Sequence, residues 1–223
     1  MSKDLEMMYD YSNDYEICLD EVGRGCMFGD VYVACVVLPK DNKFDKKDIK
    51  DSKKFTSKIK LKNKAEYIKE NALFWHVAQI SVGVIDEINI LQAVMMGMHK
   101  CIDSVLSKID YKNKKIKLIV DGNYFNEYKD INGVKIEHVT VKQGDGKYVG
   151  IAAASILAKD SRDSDIIELC EEYPVLKECY GLDKNVGYAT KKHLEGIEEH
   201  GITQWHRKTF GKCRNCKKIK DIV

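Results

Sequence analysis

Proline is nearly missing, with two in 223 residues. Proline-rich and collagen-like classes go with it, and a hydrophobic content of 44% is too high for a disordered chain. Long apolar runs are missing too. None approaches the ~20 residues that a membrane-spanning helix needs. The first residues, MSKDLEMMYDYSNDYE, are acidic and polar where a secretory signal is basic and then apolar. There is no internal repeat, no low-complexity tract and no composition break that would mark a linker. Nor is there an excess of one charge: 37 Lys and Arg against 35 Asp and Glu leave +2. What remains is the profile of a soluble, cytoplasmic globular chain that makes no use of a membrane. A chain of this size buries about 70% of its unfolded surface, in one large domain or two small ones. Eight cysteines are scattered through apolar segments, and read as small reduced hydrophobes rather than disulfide partners.

Near-neutrality is an average. Lys40 to Lys64 holds eleven Lys against four Asp, a local +7, and Gly201 to Val223 holds seven Lys and Arg against one Asp, a local +6. The rest of the chain therefore carries −11. Two basic stretches around an acidic remainder suit a polyanion held at its edges, and equally suit solvated lysine-rich surfaces.

Periodicity gives the elements. Glu16–Asp20 and Val31–Leu38 are β-rich runs separated by EVGRGCMFGD, whose three glycines mark a connection. Lys58–Asn71 predicts a surface helix and Phe74–Val82 a third strand. Ile88, Leu91, Met95, Met98, Ile102, Val105 and Ile109 step along one face of a long amphipathic helix, with Asp86 as its expected N-cap. Ile116–Val120 and Lys135–Lys142 read as strands, and Tyr148–Lys159 as a helix whose small side chains allow close packing. A helical stretch through Tyr173, a loop at Pro174 and a charged helix over Thr190–His200 follow. This order describes an α/β domain with a mixed sheet.

The acids fall at strand ends. Asp20 and Glu21 follow the first strand, Asp121 the fourth and Asp145 the fifth, each near a glycine. If these strands are neighbours, four carboxylates meet at one sheet edge, and like charges so placed repel and raise their own pKa values unless a cation neutralises them. Oxygen ligands without a Cys/His pattern favour Mg2+ or Mn2+ over zinc. Two such ions about 4 Å apart are a standard device for displacement at a phosphodiester.

The motifs Asp20-Glu21-Val22-Gly23-Arg24-Gly25, Asp51-Ser52-Lys53-Lys54, Val120-Asp121-Gly122-Asn123, Gly144-Asp145 with Ala152–Lys159, and Gly187-Tyr188-Ala189-Thr190 with His193 resemble, in order, those of ribonuclease HII, the type 2 ribonucleases H. The resemblance runs from about Glu16 to Phe210. It implies a ribonuclease-H-like fold, with a central mixed five-stranded sheet flanked by helices and a C-terminal helical region. It also implies Mg2+- or Mn2+-dependent hydrolysis of RNA in RNA/DNA hybrids, and incision 5′ of ribonucleotides embedded in duplex DNA, leaving 3′-OH and 5′-phosphate ends. Carried over, Asp20, Glu21, Asp121 and Asp145 are the catalytic, metal-binding acids. Gly23, Arg24 and Gly25 are the ribonucleotide-sensing loop, and Tyr188 the aromatic beside the sugar at the RNA–DNA junction. Ser52, Lys53, Lys54, Lys191 and Lys192 are the expected phosphate contacts, positioning a duplex without reading it. His193 matches a family position and equally suits an ordinary helix-surface histidine.

Some positions depart from the pattern. Cys26-Met27-Phe28-Gly29-Asp30 stands where the family usually has proline and small residues, Ala189 replaces a glycine and Gly146 an alanine. With Asp20 so near the first residue, no extra N-terminal domain like that of ribonuclease HIII is expected, which with the Gly-Arg-Gly loop favours the HII type. Residues 1–212 are expected to form one monomeric catalytic domain and 213–223 a short basic tail. There, Cys213 and Cys216 supply two of the four ligands a structural zinc needs, and His206 at most a third. A flexible tail adding DNA affinity and redox pairing of the two thiols are the other readings of that segment. Two rival functions stay open: another ribonuclease-H-like nuclease, and a catalytically weak hybrid-binding protein.

Overall fold

The computed structural model describes residues 4–41, 44–49, 52, 55 and 57–220. The strongest β signal, VYVACVV, becomes a strand buried along its whole length, β2 (Val31–Val37). β-Branched and apolar residues without alternation suit a strand covered on both faces. Beside it lies β1 (Tyr15–Val22), followed in chain order by β3 (Phe74–Ile80), β4 (Ile116–Asp121) and β5 (Glu137–Val141). They form one mixed five-stranded sheet in the order β3-β2-β1-β4-β5. β1 runs parallel to β4, with Leu19 opposite Val120, and β4 parallel to β5, with Asp121 opposite Val141.

The helices are α1 (Lys58–Asn71), α2 (Val82–Leu106), α3 (Val149–Glu172), α4 (Val175–Tyr180), α5 (Leu182–Asn185) and α6 (Lys191–His200). α1 has the predicted bounds and is capped by the Ser57 hydroxyl. α2 carries the predicted stripe, with Met95, Met98, Ile102 and Val105 buried. Its cap differs from expectation. Asn89 (φ 67°, ψ 163°) interrupts the helix, and its side-chain oxygen accepts from Leu91 N (3.0 Å) and Gln92 N (3.2 Å). The expected cap, Asp86, instead accepts from Lys208 N (2.9 Å) and Thr209 N (3.0 Å). An aspartate one turn too early caps nothing when the chain is already helical, and its carboxylate is free to tie down another segment.

The chain divides into two compact units, one of Met1–Val22, Val33–Ala78 and Met95–Asp160, the other of Gly23–Tyr32, Gln79–Val94 and Ser161–Val223. The first holds most of the sheet, where Cys18, Ile119 and Ile151 pack together. The core of the second gathers Phe28, Ile166, Leu176, Tyr180, Ile197 and Cys213. Cys213 thus does not begin a flexible tail. It lies buried in a 3-10 turn over Gly211–Asn215, and burial pushes its thiol up to about 12. No helix among the described residues is long and apolar enough to cross a membrane.

Candidate active site

Parallel pairing brings the carboxyl ends of β1 and β4 to the same edge of the sheet, where α/β proteins place their ligands. With Leu19 opposite Val120, the next residue on each strand is an aspartate, Asp20 and Asp121. β5 ends one strand further along, and the chain turns back through Gln143 (φ 54°) into a 3-10 turn that carries Asp145. The turn is tied to β4: Gly144 N donates to the Asp121 Oδ1 at 2.6 Å.

Asp20 is buried, Glu21, Asp121 and Asp145 partly so. Burial first, then the negative charges of Glu21 and Asp121, push the Asp20 carboxyl well above the usual carboxylate range. Glu16, on the same strand, is also buried. It accepts from Tyr9 N, Asp10 N and the Asn13 amide at 2.8 Å each, a structural acid. Asp20 is set apart by its burial together with the acids facing it. Among the described residues, no group of three or more His, Cys, Asp or Glu side chains stands in chelating geometry.

Ser52, expected at a phosphate, is buried, and its hydroxyl lies 2.9 Å from that of Ser155, which bonds Asp20. It belongs behind the acids. A lone serine in a lysine-rich stretch gives no sign of this in sequence. Lys53 and Lys54, with Asp51, lie outside the described residues.

The remaining expected contacts belong to the second unit. Gly23 (φ +93°) opens a turn closed by Cys26 N on Gly23 O (3.3 Å), leaving Arg24 and Gly25 exposed. Two arginines that the motif reading passed over hold this loop. Arg162 donates to the carbonyls of Asp30 (3.2 Å), Phe28 (3.0 Å) and Val186 (2.9 Å), and Arg207 to those of Gly29 (2.8 Å) and Arg24 (3.2 Å). Both are fully buried. A Cβ at Gly23 would collide with the Arg162 guanidinium, and one at Gly187 (φ +91°) with the Phe28 carbonyl. These glycines are demanded by the arginine between them as well as by their backbone angles. Scarcity is the signal that would have found these residues: the chain has only four arginines among its 37 basic residues, and three of them, at 24, 162 and 207, meet around this loop.

Tyr188 follows Gly187 and is partly exposed. Its hydroxyl shares a hydrogen bond with the buried Cys26 thiol, one of the residues that departs from the family pattern. Lys191 and Lys192 are exposed in the first turn of α6, behind the Thr190 cap. Cations there oppose the helix dipole, so helix stability is not what places them. His193 is not a surface histidine. It is fully buried against His206.

The ribonuclease HII family model matches residues 17–216. A ribonuclease HII of Bacteroides thetaiotaomicron is 47% identical over 191 residues, 86% of each chain. The ribonuclease H2 of Pyrococcus horikoshii has a similar fold, with a TM-score of 0.69 at 23% identity over 90% of this chain and 96% of that one. Bst-RNase HIII, solved in complex with Mn2+, gives 0.66 at 16% identity, covering 90% of this chain and 68% of that one.

Proposed function

The chain belongs to the ribonuclease HII family of hydrolytic endonucleases, and from that premise we propose that it hydrolyses RNA in RNA/DNA hybrids and incises duplex DNA 5′ of embedded ribonucleotides, leaving 3′-OH and 5′-phosphate ends. We read it as a cytoplasmic monomer. The observation that carries the proposal is the edge shared by β1 and β4, where Asp20 meets the charges of Glu21 and Asp121, and the Asp145 turn is bonded to Asp121.

Such a cluster fits divalent cations, because positive charge relieves the mutual repulsion of carboxylates in a partly buried site. Its donors are all oxygens, which suits Mg2+ or Mn2+. Asp20, Glu21, Asp121 and Asp145 would hold the ions. When bound, two such ions supply activation of the attacking water and charge stabilisation at the leaving oxygen. Ser155 and Ser52 hold Asp20 from behind. The Gly23-Arg24-Gly25 turn brings backbone groups close to a ribose, whose 2′-OH distinguishes RNA from DNA. Tyr188 meets the sugar at the junction. Lys191 and Lys192, with Lys53 and Lys54, take phosphates, and Arg24 grips one through its fork.

The test is cleavage of a duplex carrying one ribonucleotide, beside an all-DNA duplex, with Mg2+ or Mn2+ supplied. Incision 5′ of the ribonucleotide alone is expected, and equal cutting of both substrates would overturn ribonucleotide recognition. Asp121→Asn should lower cleavage at least about a hundredfold, the upper end of the loss seen when even an outer partner of a metal ligand is removed. Duplex binding should hold, since phosphate contacts are untouched. Undiminished cleavage rejects the metal assignment. Binding without cleavage by the unaltered chain would favour the hybrid-binding alternative.

A further inference from the structure

Beneath Tyr188 lies a row of buried polar groups that lie outside the cleavage chemistry. His193 Nδ1 is 2.9 Å from the Tyr188 carbonyl, His193 Nε2 is 3.1 Å from His206 Nε2, and His206 Nδ1 is 2.9 Å from both the backbone N and the hydroxyl of Thr203. Both histidines and Thr203 are buried.

The chemistry of the two ends fixes every proton between them. A backbone N–H can only donate, so His206 Nδ1 is an acceptor and the proton of that ring sits on Nε2. A carbonyl can only accept, so His193 Nδ1 carries the proton and its Nε2 is bare. The His206 Nε2–H then donates to His193 Nε2. The bonds run one way, from Thr203 N–H through His206 and His193 to the Tyr188 carbonyl. Any other tautomer, or a proton added to either ring, sets two N–H groups against each other.

The far end of the row is the peptide that carries the tyrosine. The Tyr188 carbonyl also accepts from Thr190 N (2.8 Å), and Tyr188 N donates to Asn185 O (3.0 Å), so the imidazole completes the set of restraints on this peptide. Thr190 in turn caps α6 by accepting from His193 N (3.4 Å). The tyrosine's own backbone, the helix start and the imidazole pair thus form one closed network.

We propose that His206, held by Thr203, is a positioning residue for Tyr188, acting through His193 to fix the backbone from which the tyrosine reaches the junction sugar. The proposal rests on the reading of Tyr188 given above. Displacing a positioning group by about 1 Å costs on the order of a hundredfold in rate, so partial slackening at Tyr188 should cost about tenfold.

Two measurements test it. Long-range 1H–15N correlation of the unaltered, 15N-histidine-labelled protein should show His206 as the Nε2–H tautomer and His193 as the Nδ1–H tautomer at neutral pH; the opposite tautomers, or an imidazolium at either residue, would overturn the chain. In activity, His206→Phe keeps a ring but breaks the row. Its incision rate at a single ribonucleotide should fall about tenfold while cleavage of long hybrids falls less than about threefold, mostly in kcat. His206→Gln, which offers an acceptor to Thr203 and a donor to His193, should recover most of the loss. Tyr188→Ala on the same two substrates separates the failures. A shifted ratio in Tyr188→Ala with none in His206→Phe overturns the proposal and leaves the tyrosine's role standing. No shift in either overturns both.

Discussion

Arg162 and Arg207 bring two full charges into the interior with backbone carbonyls as their main partners. Burying a charge is expensive unless its hydrogen bonds are made. A guanidinium repays this where one rigid fork must join separate loops, as Arg162 does here between Phe28–Asp30 and Val186. Burial lowers Arg207 to about 10, which still leaves it charged at neutral pH. Histidine answers the same environment by losing its proton. Burial, then the neighbouring His193, pushes His206 down to about 3, and burial lowers His193 as well. The sign follows: the unfolded His206 takes up a proton below pH ~6.5 and the folded one does not, so its contribution is complete above that pH and is lost as pH falls toward 3. Urea unfolding of the unaltered chain should therefore lose about 2 kcal/mol more than that of His206→Gln between pH 7.5 and 5. Parallel pH profiles for the two proteins would show that the buried ring is not held neutral.

At the scale of elements, α2 shows what one residue does to a helix. Asn89 stands at a positive φ with an extended ψ, a backbone that glycine adopts most readily, and its side chain caps the longer segment that follows. Asn89→Gly keeps the backbone angle and should cost only a few tenths of a kcal/mol, whereas Asn89→Ala loses both and should cost about 1–2 kcal/mol. Equal thermal melts for the two variants would mean that the cap carries no weight. The break was illegible in sequence because Ile88 and Leu91 keep the apolar step across it. Local signals served well where burial follows a period: α1 has its predicted bounds, all five strands lie where predicted, and the acids stand at strand ends. Contacts set by distant segments did not show. Ser52 and His193 sit among charged neighbours in the chain, and only the folded packing buries them. Cys26 reads in sequence as a departure from pattern, and the fold sets the Tyr188 hydroxyl against it.

At the scale of the whole molecule, the net +2 hides how its charges are used. The basic stretch after Gly201 looked suited to a free tail. Instead Lys212 pairs with Glu198, Lys218 donates to the Glu199 carbonyl, and Arg214 holds the Thr209 carbonyl at 2.7 Å. These cations fasten the segment to α6 and to its own turn. Lys191 and Lys192 differ. They stand exposed where the helix dipole disfavours them, and Lys191 makes a loose pair with Glu195 at 3.7 Å. Phosphate contacts release counterions, each adding about 0.9 to the steepness of log K against log salt. Lys191→Ala with Lys192→Ala should therefore flatten that slope by about 2 on hybrid and on ribonucleotide-containing duplex alike, because phosphates carry no sequence. Lys212→Ala with Arg214→Ala should lower the melting temperature and leave the slope nearly as it was. A slope that follows the second pair instead would place the duplex on the C-terminal segment, and would return to it the role that its folded contacts argue against.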